Sequence, residues 1–274
     1  MAAEAFAPAK INLALHVIGR RDDGYHLMES IVVFADVGDW VKIHAAPDWS
    51  LNINGPFAHG LSTTDNLCLS AARLTAGPPA ALTLTKNLPV ASGIGGGSAD
   101  AAATLHALRA MDGRALPVDV LHLGADVPVC LAGKPALMKG IGEHLSPLPP
   151  LPEAHLCLVN PGIAVSTPQV FAALDSRDNP ALPAVTDWPD LPAFTDWLLG
   201  TRNDLERPAC AIAPVIGTVL DRIADTVGCR LARMSGSGAT CFGLYATAEN
   251  AKSAAEKIKS DYSDWWVTAA AIRA

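Results

Sequence analysis

From Ala9 to Val17 the chain alternates, with Ala9, Ile11, Leu13, Leu15 and Val17 on one face and Lys10, Asn12, Ala14 and His16 on the other. This period of two predicts a strand whose second face is polar and solvated. The turn-like segment 19–24 leads through Tyr25 and His26 to a second strand at 30–34. A third follows at 41–45, so the N-terminal region reads as antiparallel β. Asp65 is placed to cap a short helix over 66–74. Alternation returns at 81–86, and after a glycine-rich loop about thirteen helix-favouring residues end at Asp112-Gly113.

The clearest break is at 146–152, where four prolines in seven residues oppose regular structure. It suggests domains over 1–148 and 149–274, with the last strand free to return to the first. Beyond the break the pattern predicts a strand at 156–160, a short helix after Thr167-Pro168 and a poorly patterned stretch to about 195. A helix at 213–227, strands at 229–234 and 241–245, a charged helix at 248–259 and a strand at 266–272 complete it. The order β, α, β, β, α, β is that of a ferredoxin-like split βαβ unit. No internal repeat is present.

Composition narrows the function classes. Of 274 residues, 50% are hydrophobic and 17% charged, which describes a folded globular chain. The net charge of −7, without a dense Lys/Arg run, argues against a nucleic-acid surface. The six cysteines are scattered with no Cys-x-x-Cys pair, which fits a reducing cytosol. No run approaches the ~18 apolar residues of a membrane span, so a cytoplasmic protein without a membrane partner is expected.

The loop between the strand at 81–86 and the following helix carries the strongest chemical signal. Gly93, Gly95, Gly96 and Gly97 stand directly before the helix. Glycine permits positive φ and close approach of a ligand, and a helix start offers unpaired N–H groups and a positive dipole end. Strand, glycine loop and helix together suit a phosphate. A Walker A loop does not fit, since no lysine lies between Lys86 and Lys134, and the dinucleotide pattern fails at Ser98. A second cluster, Ser235-Gly236-Ser237-Gly238-Ala239-Thr240, joins two expected strands and by itself reads equally as a hairpin turn. On spacing alone, Asp126 before Val127-Pro128 and Thr167 before Pro168 both read as helix caps.

Taken jointly, these segments resemble the GHMP kinases. Pro8-Ala9-Lys10-Ile11-Asn12 is similar to their first motif, Leu88-Pro89 with Gly93–Ser98 to their second, and Ser235–Thr240 to their third, in the expected order. The resemblance implies an α+β, two-domain GHMP kinase fold. Its N-terminal half would be ribosomal protein S5 domain 2-like and its C-terminal half ferredoxin-like. Gly19-Arg20-Arg21, Asp23-Gly24-Tyr25-His26 and Gly124-Ala125-Asp126 resemble one branch of the family, whose acceptor is a cytidine-diphosphate-linked polyol.

That branch implies ATP as co-substrate with Mg²⁺, whose ligands the sequence does not name. ATP phosphates fall to Pro89, Val90, Ala91, Ser92, Gly93, Ile94, Gly95, Gly96, Gly97, Ser98 and Ala99, and the adenine to Asn66. Lys10 and Asp126 would be the catalytic pair. Asn12 would meet the polyol, Tyr25 and Phe171 would flank cytosine, His26 would hydrogen-bond it, and Thr167 would lie near the acceptor's phosphates. Gly236, Ser237 and Gly238 form the third glycine motif. Ala99-Asp100 is a local variation on the branch pattern with no evident cost. The expected partner is this small molecule, with the chain a monomer or weak homodimer. Two other readings are a kinase of homoserine or mevalonate and a non-catalytic nucleotide- or RNA-binding module.

Overall fold

The computed structural model describes residues 2–273. Two compact units are present. One comprises the chain up to Lys10, Val37–Val90 and Gly95–Gly133; the other comprises Ile11–Asp36, Ala91–Ile94 and the chain from Lys134 on. Strand β1 (Ala2–Arg20) and strand β2 (His26–Ala45) contribute residues to both.

The face of β1 expected to be solvated is buried: Lys10, Asn12 and His16 are each 3% exposed or less. Alternation reports side-chain polarity, and here the polar row is partnered rather than wet. The two strands expected at 30–34 and 41–45 are one strand, β2. Gly38 does not break it; a Cβ there would come 2.1 Å from the Ala7 carbonyl oxygen, so glycine admits the neighbouring backbone.

In the first unit, β3 (Ser50–Asn54) precedes α1 (Leu67–Arg73), β4 (Ala80–Thr85), α2 (Gly96–Asp112), a 3₁₀ turn (Leu121–Leu123) and α3 (Val127–Ala132). Strand β4 pairs antiparallel with β2 but parallel with β3, so the region is mixed rather than wholly antiparallel. Asn66, not Asp65, caps α1, its side-chain oxygen accepting from the Cys68 N–H at 2.9 Å. Helix α2 starts two residues earlier than the glycine pattern suggests, so Gly96 and Gly97 form its first turn and Gly95 its cap. Alanines at 99, 101, 102 and 103 are buried. Small side chains on several faces let α2 pack closely, with Ala71, Leu105, Val120 and Val127 forming a shared core.

In the second unit, β5 (Ala136–Gly140) pairs antiparallel with β2 and with β6 (His144–Pro147), which takes in the first two residues of the proline stretch. There follow β7 (His155–Asn160), α4 (Thr167–Ala172), α5 (Leu191–Leu199), α6 (Glu206–Ile212), α7 (Val215–Ala224), β8 (Leu231–Met234), β9 (Cys241–Tyr245), α8 (Ala248–Asp261) and β10 (Trp266–Arg273). The antiparallel order β10-β7-β9-β8 is the ferredoxin-like arrangement the sequence predicts. Ile216, Val219 and Ile223 of α7 and Ala251, Ala254 and Ile258 of α8 form one core with Val159 and Tyr245 of that sheet. Strand β10 also meets β2 at Ile272↔Ala35 and Arg273↔Phe34. Helix α5 begins inside the stretch that shows no pattern; Asp190 caps it by accepting from the Ala193 N–H at 2.9 Å, with Pro192 in the first turn. No helix among the described residues is long and apolar enough to cross a membrane.

Candidate active site

The first unit holds an anion-receptive helix start beside a charged pair. The Lys10 ammonium lies 2.9 Å from Asp126 Oδ2, with the Lys10 side chain 4% and the Asp126 side chain 30% exposed. Asp126 occupies the N-cap position of α3 yet makes no side-chain cap. The capping role that spacing favours is therefore not the one the carboxylate takes. Pro128, in the first turn, needs no partner for an N–H it lacks.

Gly95 caps α2 at φ 65°. A Cβ there would lie 3.0 Å from Lys10 Cε and 3.7 Å from Asp126 Oδ2, so this turn closes against the ion pair only as glycine. The first intrahelical acceptor is the Gly95 carbonyl, taking the Ala99 N–H at 2.8 Å. The N–H groups of Gly96, Gly97 and Ser98 precede it and have no intrahelical acceptor. Glycine at 96 and 97 leaves those amides uncovered by side chains. Asn66 is occupied as the α1 cap, and its amide donates to the Ser62 carbonyl at 3.2 Å.

Beneath α2 lies a buried charged group that no local sequence pattern marks as a whole. The Lys86 ammonium is hydrogen-bonded to Asp39 and, at 2.8 Å, to Asp100 Oδ2, and all three side chains are buried. Asp39 Oδ1 also accepts the backbone N–H groups of Asn87 and Leu88, at 2.5 and 2.8 Å, which fixes the start of the glycine loop. Burial alone lowers the Lys86 pKa, but Asp100 and Asp39 raise it on balance. Burial pushes the Asp100 carboxyl up to about 7, with Lys86 pulling against it and Asp39 adding to it. Asp100 Oδ1 is buried without a hydrogen-bond partner. Asp100, far from being a variation without consequence, is a buried charge inside an alanine run, and that mismatch is the signal the sequence carried.

In the second unit Ser92 and Gly93 meet the second glycine cluster. Ser235 Oγ donates to the Gly93 carbonyl at 3.0 Å and accepts the Asn12 N–H at 3.1 Å. Thr240 N–H donates to the Ser92 carbonyl at 3.1 Å. Ser235–Thr240 links β8 to β9, so it is a hairpin turn, and at the same time a wall against Ser92 and Gly93. The Asn12 amide donates to Ser30 Oγ at 2.7 Å, and Ser30 donates onward to the Ala14 carbonyl at 2.6 Å. Thr167 does not cap α4; its hydroxyl lies 2.6 Å from that of Ser237.

His26 and Phe171 stack, with ring centroids 4.7 Å apart and 23° between planes. His26 Nε2 is buried without a hydrogen-bond partner. Burial, then the nearby Arg20 and Arg177 charges, hold the imidazole below its usual range, so the ring is neutral at pH 7. That ring nitrogen retains the capacity for one hydrogen bond beside the Phe171 face. Tyr25 is 60% exposed and makes no ring contact among the described residues. Pro89 and Val90, with Gly95 to Ala99, belong to the first unit, and Ala91 to Ile94 to the second.

Comparison with known proteins gives this geometry a family. The GHMP kinases N terminal domain matches residues 66–138 and the GHMP kinases C terminal domain residues 191–264. A 4-diphosphocytidyl-2-C-methyl-D-erythritol kinase of Cereibacter sphaeroides is 55% identical over 269 residues, covering 96% of this chain and 97% of its own. One from Paracoccus denitrificans is 56% identical over 268 residues, covering 97% and 95%. A crystal structure of 4-(cytidine 5'-diphospho)-2C-methyl-D-erythritol kinase superposes with a TM-score of 0.77 at 34% identity, over 99% of both chains. With relatives this similar over nearly its whole length, the chain belongs to the 4-diphosphocytidyl-2-C-methyl-D-erythritol kinase family of GHMP kinases.

Proposed function

We propose that the protein transfers the γ-phosphoryl group of ATP to the 2-hydroxyl of 4-diphosphocytidyl-2-C-methyl-D-erythritol, a step in non-mevalonate isoprenoid precursor synthesis. The observation that carries this reading is the Lys10–Asp126 pair, placed against a glycine-capped helix start and not spent on capping.

Phosphoryl transfer asks chiefly for alignment and charge stabilisation, because its transition state is loose. The ATP phosphates lie along Pro89–Ala99, with the free amides of Gly96, Gly97 and Ser98 and the α2 dipole taking the place of a Walker lysine. Asn66, at the α1 cap, borders the adenine. Asp126 accepts and orients the acceptor hydroxyl, receiving its proton as the O–P bond forms. Lys10 balances charge on the entering oxygen and the transferred group.

The acceptor's cytosine lies against Phe171 and Tyr25 and fills the open position at His26 Nε2. Its phosphates meet Thr167 and the Gly236-Ser237-Gly238 turn, and Asn12 meets the methylerythritol. Stacking holds any base; the hydrogen bond to His26 contributes the choice of cytosine. The homoserine and mevalonate readings leave the stacked His26–Phe171 pair without a task.

Mg²⁺ fits as a chelate carried in by the nucleotide. No group of three or more His, Cys, Asp or Glu among the described residues is placed to hold a metal, and a phosphate-bound Mg²⁺ needs only one or two carboxylates, such as Asp126. When bound it neutralises charge on the β- and γ-phosphates. The acidic chain works in the cytoplasm as a monomer or weak homodimer, without nucleic-acid or membrane partners.

A coupled ADP-release assay across the diphosphocytidyl polyol, homoserine, mevalonate and galactose tests the reading. ADP release only with the first is expected. Turnover of another alcohol in its place, or nucleotide binding with no turnover of any, overturns it.

A further inference from the structure

The segment between α5 and α6 has no part in the chemistry described so far, yet its side chains grip the third glycine loop from behind. Both hydrogens of the Asn203 side-chain amide are used on that loop: Nδ2 donates to the Met234 carbonyl and to the Gly236 carbonyl, each at 2.8 Å. Its Oδ1 accepts the Leu205 N–H at 3.0 Å, so the amide orientation is determined by its partners. The side chain is buried, which leaves no water to replace these bonds. Glu206 Oε2, one turn further on, accepts the Met234 N–H at 2.8 Å.

The gripping segment is itself held firmly. The Leu15 N–H donates to the Arg202 carbonyl and the Asp204 N–H to the Leu15 carbonyl, both at 2.9 Å, so the segment pairs with β1 around Asn203. Arg233, buried in β8, donates to the Leu13 carbonyl at 2.8 Å and to the Thr201 carbonyl at 2.9 Å, tying the same two pieces of chain together. The loop so gripped has little slack: Gly236 adopts φ 55°, and a Cβ on it would come 2.7 Å from the Gly93 carbonyl and 3.4 Å from Asn12 Oδ1. Fixing the Gly236 carbonyl fixes which way the next N–H, that of Ser237, points, because the peptide between them is planar. Neither the Gly236 nor the Ser237 N–H has a hydrogen-bond partner among the described residues.

We propose that Asn203 is a positioning residue for the acceptor: by holding the Gly236 carbonyl it aims the Ser237 N–H at the acceptor's phosphates, and by holding the Met234 carbonyl as well it keeps the turn that carries the Ser237 hydroxyl in place. The inference rests on the reading of the protein as a kinase of a diphosphate-bearing acceptor. It adds a residue outside all three glycine-family motifs to the machinery that recognises it. A side chain that merely stabilises the fold contributes to both substrates alike, whereas one that aims this loop contributes to the acceptor selectively.

The test compares wild type with Asn203→Ala, using enzyme shown folded by near-UV circular dichroism and counted by the fraction that binds ATP. Wild-type turnover of the diphosphocytidyl polyol comes first, and its absence would count against the function and leave nothing for Asn203 to position. Given turnover, Asn203→Ala is expected to raise the acceptor KM at least ten-fold and to leave the ATP KM within two-fold. Equal changes in both constants, or a lower active fraction with both constants unchanged, overturn the proposal. Should Asn203→Ala fail to fold, Glu206→Ala frees the Met234 N–H at the other end of the grip and is expected to give the same split with a smaller rise. Glu206→Gln, which keeps an acceptor oxygen there, restores wild-type constants. An acceptor KM unmoved by Glu206→Ala overturns the proposal equally.

Discussion

The Asp126 carboxylate lies 2.9 Å from the Lys10 ammonium rather than on the amides of the helix it precedes. Asp126→Asn therefore removes a charge from the proposed reacting centre without removing a cap. Turnover is expected to fall by about 10²–10⁴, the range of a lost proton acceptor. ATP affinity, read by calorimetry, stays within a few-fold. A parallel loss of both would return Asp126 to a structural role.

Tyr25 is open to solvent, so truncating it costs the fold little. Base stacking is worth ~1–3 kcal/mol. Tyr25→Ala should accordingly raise the acceptor KM by roughly ten-fold with the ATP KM unchanged, as initial-rate kinetics will read. An unmoved acceptor KM takes Tyr25 out of the cytosine site.

If His26 holds the acceptor as proposed, it should give acceptor binding an acid limb. Its pKa is depressed by burial and by Arg20 and Arg177, so the neutral ring persists to below the ordinary imidazole range. A depressed folded-state pKa means its contribution is complete above the ordinary value and is lost as pH falls through the lowered one. The acceptor KM should be flat from about pH 7 to 8 and rise on acidification, and His26→Gln should abolish that rise. An identical acid limb in His26→Gln assigns it elsewhere.

Asp39 and Asp100 share one lysine but not one role. Asp39 holds Lys86 and two backbone N–H groups, whereas Asp100 holds Lys86 alone. Losing a partner from a buried ion pair costs ~3–5 kcal/mol. Asp39→Asn should approach that cost in urea unfolding, and Asp100→Asn should cost clearly less. The sign with pH follows from a carboxyl raised to about 7: its favourable contribution is complete below the unfolded-state value and is lost as pH rises through about 7. Wild type should thus lose stability between about pH 4 and about pH 7 relative to Asp100→Asn. A constant difference between the two over that range would show that Asp100 does not titrate there.

The ferredoxin-like half was legible because each of its elements carries its own period, and the pairing order β10-β7-β9-β8 follows from their sequence. The glycine-capped start of α2 was legible because glycines before a helix-favouring run have few other uses. Legibility failed where an element's reason lies in its neighbours. Alternation cannot tell a wet polar face from a buried, partnered one, as at Lys10, Asn12 and His16. Gly38 resembles a turn but admits the Ala7 backbone. Asp39, Lys86 and Asp100 come from three separate stretches, and no local window contains their meeting. Asn203 was silent for the same reason: its partners at Met234 and Gly236 lie two helices and a strand away.

A Cβ on Gly93 would come 2.4 Å from the Ser235 carbonyl oxygen, and a Cβ on Gly236 would come 2.7 Å from the Gly93 carbonyl oxygen, so each loop tolerates the other only as glycine. Two motifs from distant parts of the gene are thereby bound to a common evolutionary fate. A chimera that takes the second glycine motif from one relative and the third from another joins surfaces that were never fitted together. Transplanting either loop into this chain will require transplanting its counterpart as well.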